Sequence, residues 1–183
     1  MAITISPVQK SEQRAIKRLY KTAFPKNERA PFWMLVSRVK KRRAVLLCAK
    51  DGERLIGMAY LVEGETAVYL FYYAICGDCR GMGYGSKVLS ELIKRYEGRK
   101  LFLSRETLDS SADNYSERLR RHSFYLRLGF EDQPELVSEG GVIFDTMSIG
   151  GRVTPDEYDL LLTSWAGERY KKRYGMRMYL DEK

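Results

Sequence analysis

The sequence predicts an α/β fold of the α+β type, in which helices cover both faces of one mixed, mostly antiparallel sheet. Hydrophobic periodicity switches between helical and strand-like stretches in the order ααβββαβαβα along the 183 residues. The three consecutive strand-like runs are short and separated by turn signals, which favours an antiparallel meander. A glycine-rich loop follows the third run and leads directly into an amphipathic helix. The length suits one domain over residues 1–183, with 151–183 as a C-terminal helical extension.

Two helices are predicted before the first strand. Apolar residues recur at steps of three and four over residues 11–24, with Ser11 as the expected N-cap and Pro25 as the stop. Pro31 stands where the first turn of a helix accepts proline, so a second helix is predicted from there. Its apolar stripe is formed by Phe32, Leu35, Val36 and Val39.

Three strands follow the helices. Short apolar runs at Val45 to Ala49 and Leu55 to Val62 are separated by the Asp51-Gly52 turn signal. Ala67 to Ile75 is the most apolar run and alternates weakly, which predicts a central strand covered on both faces.

The second half alternates helices and strands. Beyond the loop, a helix closed by Gly98 is followed by a strand at Leu101 to Leu103. Asn114 and Glu117 resemble a capping box for a helix that reaches Leu128.

The last two predicted elements are a strand and a helix. Val142 to Ile149 is flanked by glycine pairs, which predicts a late strand. Thr154, Pro155 and Glu157 match the preferences of the N-cap, N1 and N3 positions, so a final helix begins there and carries Trp165 and Tyr170 on its apolar face.

Composition excludes several classes of protein. No apolar run approaches the ~18 residues that span a membrane, and the N-terminus lacks a secretory apolar region. We therefore expect a cytoplasmic protein with no membrane association. The chain has three cysteines, and this odd count argues against a disulfide framework. Cys76 and Cys79 form a C-x-x-C pair, but without a second ligand pair they favour a strand end over a zinc or redox site, so no metal is expected.

The charge balance favours an anionic partner. The formal net charge is +8 and the sequence pI is about 9.4. Basic clusters lie at Lys40 to Arg43, Arg118 to Arg121 and Arg169 to Arg173. Charge alone does not choose among nucleic acid, an acidic protein and a phosphorylated cofactor.

The glycine-rich loop indicates which of these anions is bound. It lies between a strand and a helix whose first turn has unpaired N–H groups and a positive dipole end. Gly81, Gly83 and Gly85 allow the backbone to approach a pyrophosphate closely. A dinucleotide fingerprint fails because position 86 is serine, and a Walker loop fails because Ser86-Lys87 follows Gly85 in the wrong order.

Two motifs together indicate a family. Arg80, Gly83 and Gly85 form an R-x-x-G-x-G motif, and the segment from Phe124 to Phe130 contains F-Y-x-x-x-G-F. In this placement the sequence resembles the GNAT superfamily of N-acetyltransferases over roughly residues 1–150. The resemblance implies the acyl-CoA N-acyltransferase fold and acetyl-CoA as the co-substrate.

The resemblance also implies roles for individual residues. The loop would bind the pyrophosphate of acetyl-CoA, and backbone N–H groups near Ala74 and Ile75 would hold the pantetheine and polarise the thioester carbonyl. Tyr125 would contact the cofactor and donate a proton or hydrogen bond to the departing sulfur. The loop residues concerned are Arg80, Gly81, Met82, Gly83, Tyr84, Gly85 and Ser86.

The catalytic base is less clear from the sequence. Many relatives carry a glutamate in the strand before the loop, but Tyr69 to Tyr73 contains no carboxylate. Glu106 and Glu28 are the two candidates, and a water relay is the third. Relatives often place a cofactor-binding asparagine near position 118, where this chain has Arg118, so either Asn114 or Arg118 is expected to make that contact.

The sequence therefore predicts transfer of an acetyl group from acetyl-CoA to a primary amine by direct attack in a ternary complex. The acceptor is open between a small molecule and a protein amine. The alternative is a non-catalytic module that senses CoA or binds nucleic acid or an acidic partner, although no nucleic-acid signature is present. The basic end from Arg169 to Arg177 is expected to pack on the core, but it could instead bind an acidic partner or help form a homodimer.

Overall fold

The computed structural model describes residues 3–180, which contain eight strands and six α-helices. These residues form two compact units. The first comprises the described residues up to Glu63 together with Leu70–Arg95, and the second comprises Gly64–Tyr69 together with the described residues from Tyr96 onward. Most strand pairs are antiparallel, so the predicted class of a mixed, mostly antiparallel α/β fold is confirmed.

The first unit contains the three predicted strands, of which β2 and β3 pair antiparallel as expected, and one additional strand. The order of its strands is β1-β2-β3-β4, and both β1–β2 and β2–β3 are antiparallel pairs. β1 was not predicted, because its short run of alternating residues ends in proline and is recognisable only from its pairing with β2. The strands are β1 Ile3–Pro7, β2 Val45–Asp51, β3 Arg54–Glu63 and β4 Ala67–Ile75.

Three helices belong to the first unit, namely α1 Gln13–Ala23, α2 Phe32–Lys40 and α3 Tyr84–Arg95. α1 buries Ile16, Leu19 and Tyr20 on one face, as the periodicity predicts.

The predicted N-terminal boundaries of α1 and α2 were each wrong by one position. Glu12, not Ser11, occupies the N-cap of α1, and its side chain makes no cap bond but accepts from the Gln9 N–H and pairs with Lys50. Pro31 is the N-cap of α2 rather than its first residue.

The second unit holds the remaining strands in the order β4-β5-β7-β6-β8. The first three residues of β4 pair in parallel with β5, and the other pairs are antiparallel. β6 and β8 were missed. β6 is polar and contains Pro134, which a register shift between Asp132 and Leu136 accommodates. The strands are β5 Lys100–Glu106, β6 Glu131–Glu139, β7 Val142–Ile149 and β8 Arg177–Leu180.

The helices of the second unit are α4 Tyr115–Arg127, α5 Pro155–Ala166 and α6 Glu168–Arg173. The capping box of Thr154 and Glu157 is confirmed at α5. The capping box predicted for α4 is wrong, since the Asn114 side chain makes no cap and bonds elsewhere. Gly167, with φ of 83°, ends α5, so Tyr170 lies on a separate helix.

The basic C-terminal segment packs within the second unit. Lys171 is buried, and its ammonium group lies 2.5 Å from Asp159 and 3.0 Å from Glu168. Met176 and Met178 are also buried, so this segment packs as expected and includes a strand in addition to its helices. The last residues of the predicted extension, 181–183, lie outside the described residues. Of the helices in residues 3–180, none combines the length and hydrophobicity needed to span a bilayer.

Candidate active site

The glycine-rich loop of the first unit changes the chain direction between β4 and α3. A short 3-10 helix at Gly77–Cys79 follows the strand, and α3 begins at Tyr84. Gly81 and Gly83 have φ of 76° and 79°. Residues with a Cβ rarely adopt this left-handed conformation, so the loop requires glycine at both positions.

The loop is anchored at several points by hydrogen bonds. Arg54 pairs with Asp78 at 2.7 Å, and the Tyr73 hydroxyl donates to the Gly85 carbonyl at 2.7 Å. The Tyr84 hydroxyl donates to Asp51 Oδ2 at 2.7 Å. These contacts hold the start of α3 in place without a ligand, which lowers the cost of binding one.

The surface of the loop is open to an anion. Arg80, Gly81, Met82, Gly83 and Ser86 are all exposed. A Cβ built on Gly81 or Gly83 would meet no atom within 4 Å, so the space in front of the backbone is empty. By the geometry of an α-helix, the N–H groups of its first turn have no intrahelical partner and can donate to phosphate oxygens.

The end of β4, where Ala74 and Ile75 lie, is in close contact with β3. A Cβ on Gly57 would lie 2.8 Å from the Ala74 carbonyl oxygen and 2.8 Å from Ile75 Cδ1. The Cys76 N–H donates to the Ile56 carbonyl at 2.9 Å. Gly57 therefore allows β3 to approach the strand whose backbone was predicted to hold pantetheine.

Glu28 lies in a segment that β4 positions through Tyr72. The Tyr72 hydroxyl donates to the Glu28 carbonyl at 3.0 Å and accepts from the Ala30 N–H at 3.0 Å. The Tyr20 hydroxyl also donates to the Ala30 carbonyl, at 2.9 Å. The backbone of this connection between α1 and α2 is thus held firmly, and Glu28 lies partly exposed on it.

In the second unit, Glu106, Asn114 and Arg118 are brought together in one cluster. Glu106 accepts from Asn114 Nδ2 at 3.0 Å and from Arg118 Nη2 at 3.3 Å, and its other oxygen pairs with Arg121. Arg118 Nε donates to Asn114 Oδ1 at 2.7 Å, and Nη1 donates to the Thr107 carbonyl at 2.8 Å. Both oxygens of the Glu106 carboxylate are therefore engaged by guanidinium groups.

Tyr125 lies on α4 among aromatic rings. Its ring contacts Phe124 and Phe130 edge-on, with centroids 5.1 and 5.8 Å away. Burial raises the pKa of Tyr125 to about 12, although nearby Arg121 lowers it. At neutral pH the phenol is therefore a hydrogen-bond donor rather than a phenolate.

A second polar cluster in this unit was not predicted. Tyr158 and Tyr69 both donate to Glu139 Oε1, at 2.6 and 3.0 Å, and the Tyr69 hydroxyl lies 2.6 Å from Ser104 Oγ. Burial raises the pKa of Glu139 to about 7, and hydrogen bonds from the two tyrosines oppose that rise. No sequence motif indicates this cluster, because its members lie on four elements and one of those, β6, was itself missed.

The cysteines are free thiols. Cys48 and Cys79 are buried and Cys76 is partly so. Burial raises the pKa of all three, which disfavours the reactive thiolate. Within residues 3–180, no group of three or more histidine, cysteine or acidic side chains could hold a metal ion.

A basic cleft lies in the first unit, on α1 and α2. It has a volume of about 600 Å³ and is lined by Arg14, Lys17 and Lys40 together with Phe32 and Trp33. Trp33 is 74% exposed, which is unusual for so large an apolar side chain.

Comparisons with known proteins identify the family of this chain. The model of the acetyltransferase (GNAT) family matches residues 13–130, which contain both motifs. A search of curated proteins gives no significant match.

Many solved structures are similar to this chain, among them the following three. A protein assigned to the GNAT family from Bacteroides thetaiotaomicron has a TM-score of 0.74 at 18% identity, covering 91% of this chain and 98% of its own. An aminoglycoside 6′-N-acetyltransferase complexed with coenzyme A has a TM-score of 0.62 at 16% identity, covering 82% and 99%. Naa50 of Arabidopsis thaliana, in complex with the bisubstrate analogue CoA-Ac-MVNAL, has a TM-score of 0.63 at 15% identity, covering 82% and 100%.

Proposed function

This chain belongs to the acetyltransferase (GNAT) family, so it is an acyltransferase that uses acetyl-CoA, and we propose that it transfers the acetyl group to a primary amine by direct attack in a ternary complex. The observation that carries this proposal is the anchored, exposed loop with left-handed glycines at positions 81 and 83. Among the structural neighbours, one is named as an aminoglycoside 6′-N-acetyltransferase, and another is bound to the bisubstrate analogue CoA-Ac-MVNAL. Both kinds of acceptor are therefore candidates here.

Binding of acetyl-CoA is assigned to the loop and the end of β4. N–H groups from Gly81 to Ser86, with the charge of Arg80, would neutralise the pyrophosphate. Backbone N–H groups near Ala74 and Ile75 would hold the pantetheine and polarise the thioester carbonyl. In the second unit, the cluster of Asn114 and Arg118 is already satisfied internally. Its contribution to binding would require replacing one of those bonds with a bond to the cofactor.

Stabilisation of the leaving thiolate is the role proposed for Tyr125. A thiol has a reference pKa of about 8.5, well below the pKa of Tyr125 of about 12. Full proton transfer from the phenol to the sulfur would be uphill. Tyr125 would therefore stabilise the thiolate with a hydrogen bond that strengthens as the C–S bond breaks.

Direct attack is favoured over an acetylated enzyme by the state of the thiols. A covalent route through cysteine needs a thiolate, and burial raises the pKa of each of the three cysteines. The acceptor amine would then attack the thioester carbonyl itself, once it has lost its proton.

The proposal is tested by filling the anion site. Gly83→Ala places a methyl group in the open space before the loop backbone and adds the strain of a left-handed alanine, about 1–2 kcal/mol. Gly98→Ala is the matched control, because Gly98 has φ of 85° and an equally open Cβ position but is not part of the loop. We expect Gly83→Ala to raise the acetyl-CoA Kd at least about tenfold, while Gly98→Ala leaves it unchanged.

The binding assay is calorimetry with acetyl-CoA, followed by acetyl transfer to spermidine, kanamycin and a peptide with a free N-terminus. Equal affinity for acetyl-CoA in both variants would contradict the role of the loop. Tight binding by the wild type with transfer to none of the three acceptors would contradict transfer to a primary amine.

The alternative is a module that binds an anionic macromolecule, and the basic cleft on α1 and α2 is the observation that favours it. Exposed Trp33 beside Arg14 and Lys17 combines an apolar surface with positive charge. Binding that weakens steeply with salt and is lost in Arg14→Glu would support this function of the cleft.

A further inference from the structure

Glu139 lies at the end of a continuous chain of hydrogen bonds in the second unit. Its Oε1 accepts from the Tyr158 hydroxyl at 2.6 Å and from the Tyr69 hydroxyl at 3.0 Å. The Tyr69 hydroxyl also lies 2.6 Å from Ser104 Oγ. The chain therefore runs from Ser104 on β5, through Tyr69 on β4, to the carboxylate.

The direction of the hydrogens follows from their number. Tyr69 has one hydroxyl proton and donates it to Glu139, so Ser104 must donate its own proton to the Tyr69 oxygen. This leaves the lone pairs of Ser104 Oγ as the acceptor at the other end. Ser104 is partly exposed, so the chain starts at a group that an outside donor can reach.

Glu139 is only partly exposed, and no cation within residues 3–180 compensates the charge of its carboxylate. Within the described residues, Glu139 forms no salt bridge, and its polar neighbours are the hydroxyls of Tyr69 from β4 and Tyr158 from α5. Burial and these two hydrogen bonds set the pKa of Glu139 near 7, and no charged group contributes to it. An acid with a strongly perturbed pKa and no counter-ion is a candidate for a functional position.

Resting on the proposed transfer to an amine, we propose that Glu139 accepts the proton of the acceptor ammonium group through Ser104 and Tyr69. An N–H bond of the ammonium breaks, and its proton passes to Ser104 Oγ. Ser104 gives its proton to Tyr69, and Tyr69 gives its proton to the carboxylate. The amine lone pair then attacks the thioester carbon, and the electron pair of the C–S bond leaves on sulfur.

This proposal supplies a general base although β4 itself contains no carboxylate. Tyr69 occupies that strand and carries the connection to an acid on β6. Glu106, the earlier candidate, has both oxygens engaged by arginines. Tyr158 donates to the same oxygen but lies outside the path from Ser104, so it is a positioning residue.

The test is the pH dependence of kcat/KM for the first acceptor in the panel of spermidine, kanamycin and free peptide that the wild type acetylates. The wild type should lose activity below a midpoint near pH 7. Glu139→Gln should lower kcat/KM about 100-fold at pH 8, a typical contribution of a general base, and should abolish that midpoint. Tyr69→Phe should do the same, since it breaks the path but keeps the ring stacked on Phe102 at 4.5 Å.

Tyr158→Phe is the matched control. It also removes one tyrosine hydroxyl from Glu139, but it leaves the path from Ser104 intact. Because that bond lowers the pKa of Glu139, the midpoint should move to higher pH without disappearing. A structural role alone would give Tyr69→Phe and Tyr158→Phe the same profile.

Failure of this inference is distinguishable from failure of the proposed function. If the wild type acetylates none of the acceptors, the proposed function fails and the relay fails with it. If the wild type is active and Glu139→Gln keeps the same midpoint and rate, only the relay is overturned. Unchanged acetyl-CoA binding in Glu139→Gln would show that a loss of rate does not arise from lost cofactor affinity or misfolding.

Discussion

Replacing Glu139 with glutamine is expected to stabilise the folded chain at neutral pH, even though we expect it to inactivate the enzyme. The substitution keeps an oxygen that can accept from Tyr69 and Tyr158, and it removes the charge. The effect should depend on pH, because burial gives the folded and unfolded states different proton affinities at this position.

The magnitude follows from the two pKa values. In the folded chain the pKa of Glu139 is raised from its ordinary 4.5 to about 7. Between these values the unfolded state has released its proton while the folded state keeps it, so stability falls as pH rises through the window. A difference of about 2.5 in pKa corresponds to about 3 kcal/mol. This loss is absent below about pH 4.5 and complete above about pH 7.

The assay is urea denaturation of the wild type and Glu139→Gln at pH 4.5, 6 and 8. The variant should gain little at pH 4.5 and about 3 kcal/mol at pH 8. The control is Glu157→Gln, where the expected sign is opposite. Burial alone would raise the pKa of Glu157, but hydrogen bonds from Lys100, the Thr154 N–H and Thr66 lower it to about 2. Its charge therefore stabilises the fold above about pH 4.5, and glutamine should cost up to about 3 kcal/mol at pH 8.

Two outcomes would refute the reasoning about Glu139. One is a variant that is destabilised equally at pH 4.5 and pH 8, which would mean that the carboxylate is satisfied in its site. The other is a gain in stability that does not change with pH. It would mean that the substitution acts through packing and not through the ionisation of Glu139.

Two further predictions concern the first unit. Gly57→Ala should destabilise the chain by about 1–3 kcal/mol, because its methyl group would collide with the Ala74 carbonyl. It should also weaken acetyl-CoA binding in calorimetry. An unchanged Kd would mean that this end of β4 does not bind the cofactor. Tyr72→Phe removes the hydroxyl that joins Glu28 and Ala30, so it should cost about 1–2 kcal/mol and speed hydrogen exchange at the Ala30 N–H. Exchange as slow as in the wild type would show that the neighbouring contacts hold this connection without it.

Local signals predicted the elements that are apolar and bounded by glycine. The bounds of β4 and β7 are those expected, because β4 is a continuous apolar run and β7 lies between two glycine pairs. β6 was missed because its nine residues are mostly polar and include Pro134. It is a strand because β7 and β8 pair with it on both sides, and no window of the sequence contains that information.

The candidate site also contains one part that the sequence could predict and one part that it could not. The loop from Arg80 to Ser86 could be predicted because its chemistry is contiguous in the chain. The environment of Glu139 could not, since its partners lie 19 and 70 residues away and the burial that moves its pKa is a tertiary property. Glu106 stood out in sequence as an acid after an apolar strand, and its two arginine partners were visible only as a basic cluster.

The division of β4 between the two units has a consequence for the newly made chain. Every segment of the first unit has been translated once Arg95 is added. In the second unit, Tyr69 stacks on Phe102 and donates a hydrogen bond to Glu139, and both partners are translated later. Thr66 bonds to Glu157, which follows it by 91 residues. At about 5–20 residues per second, this short segment stays without its final partners for several seconds on the ribosome.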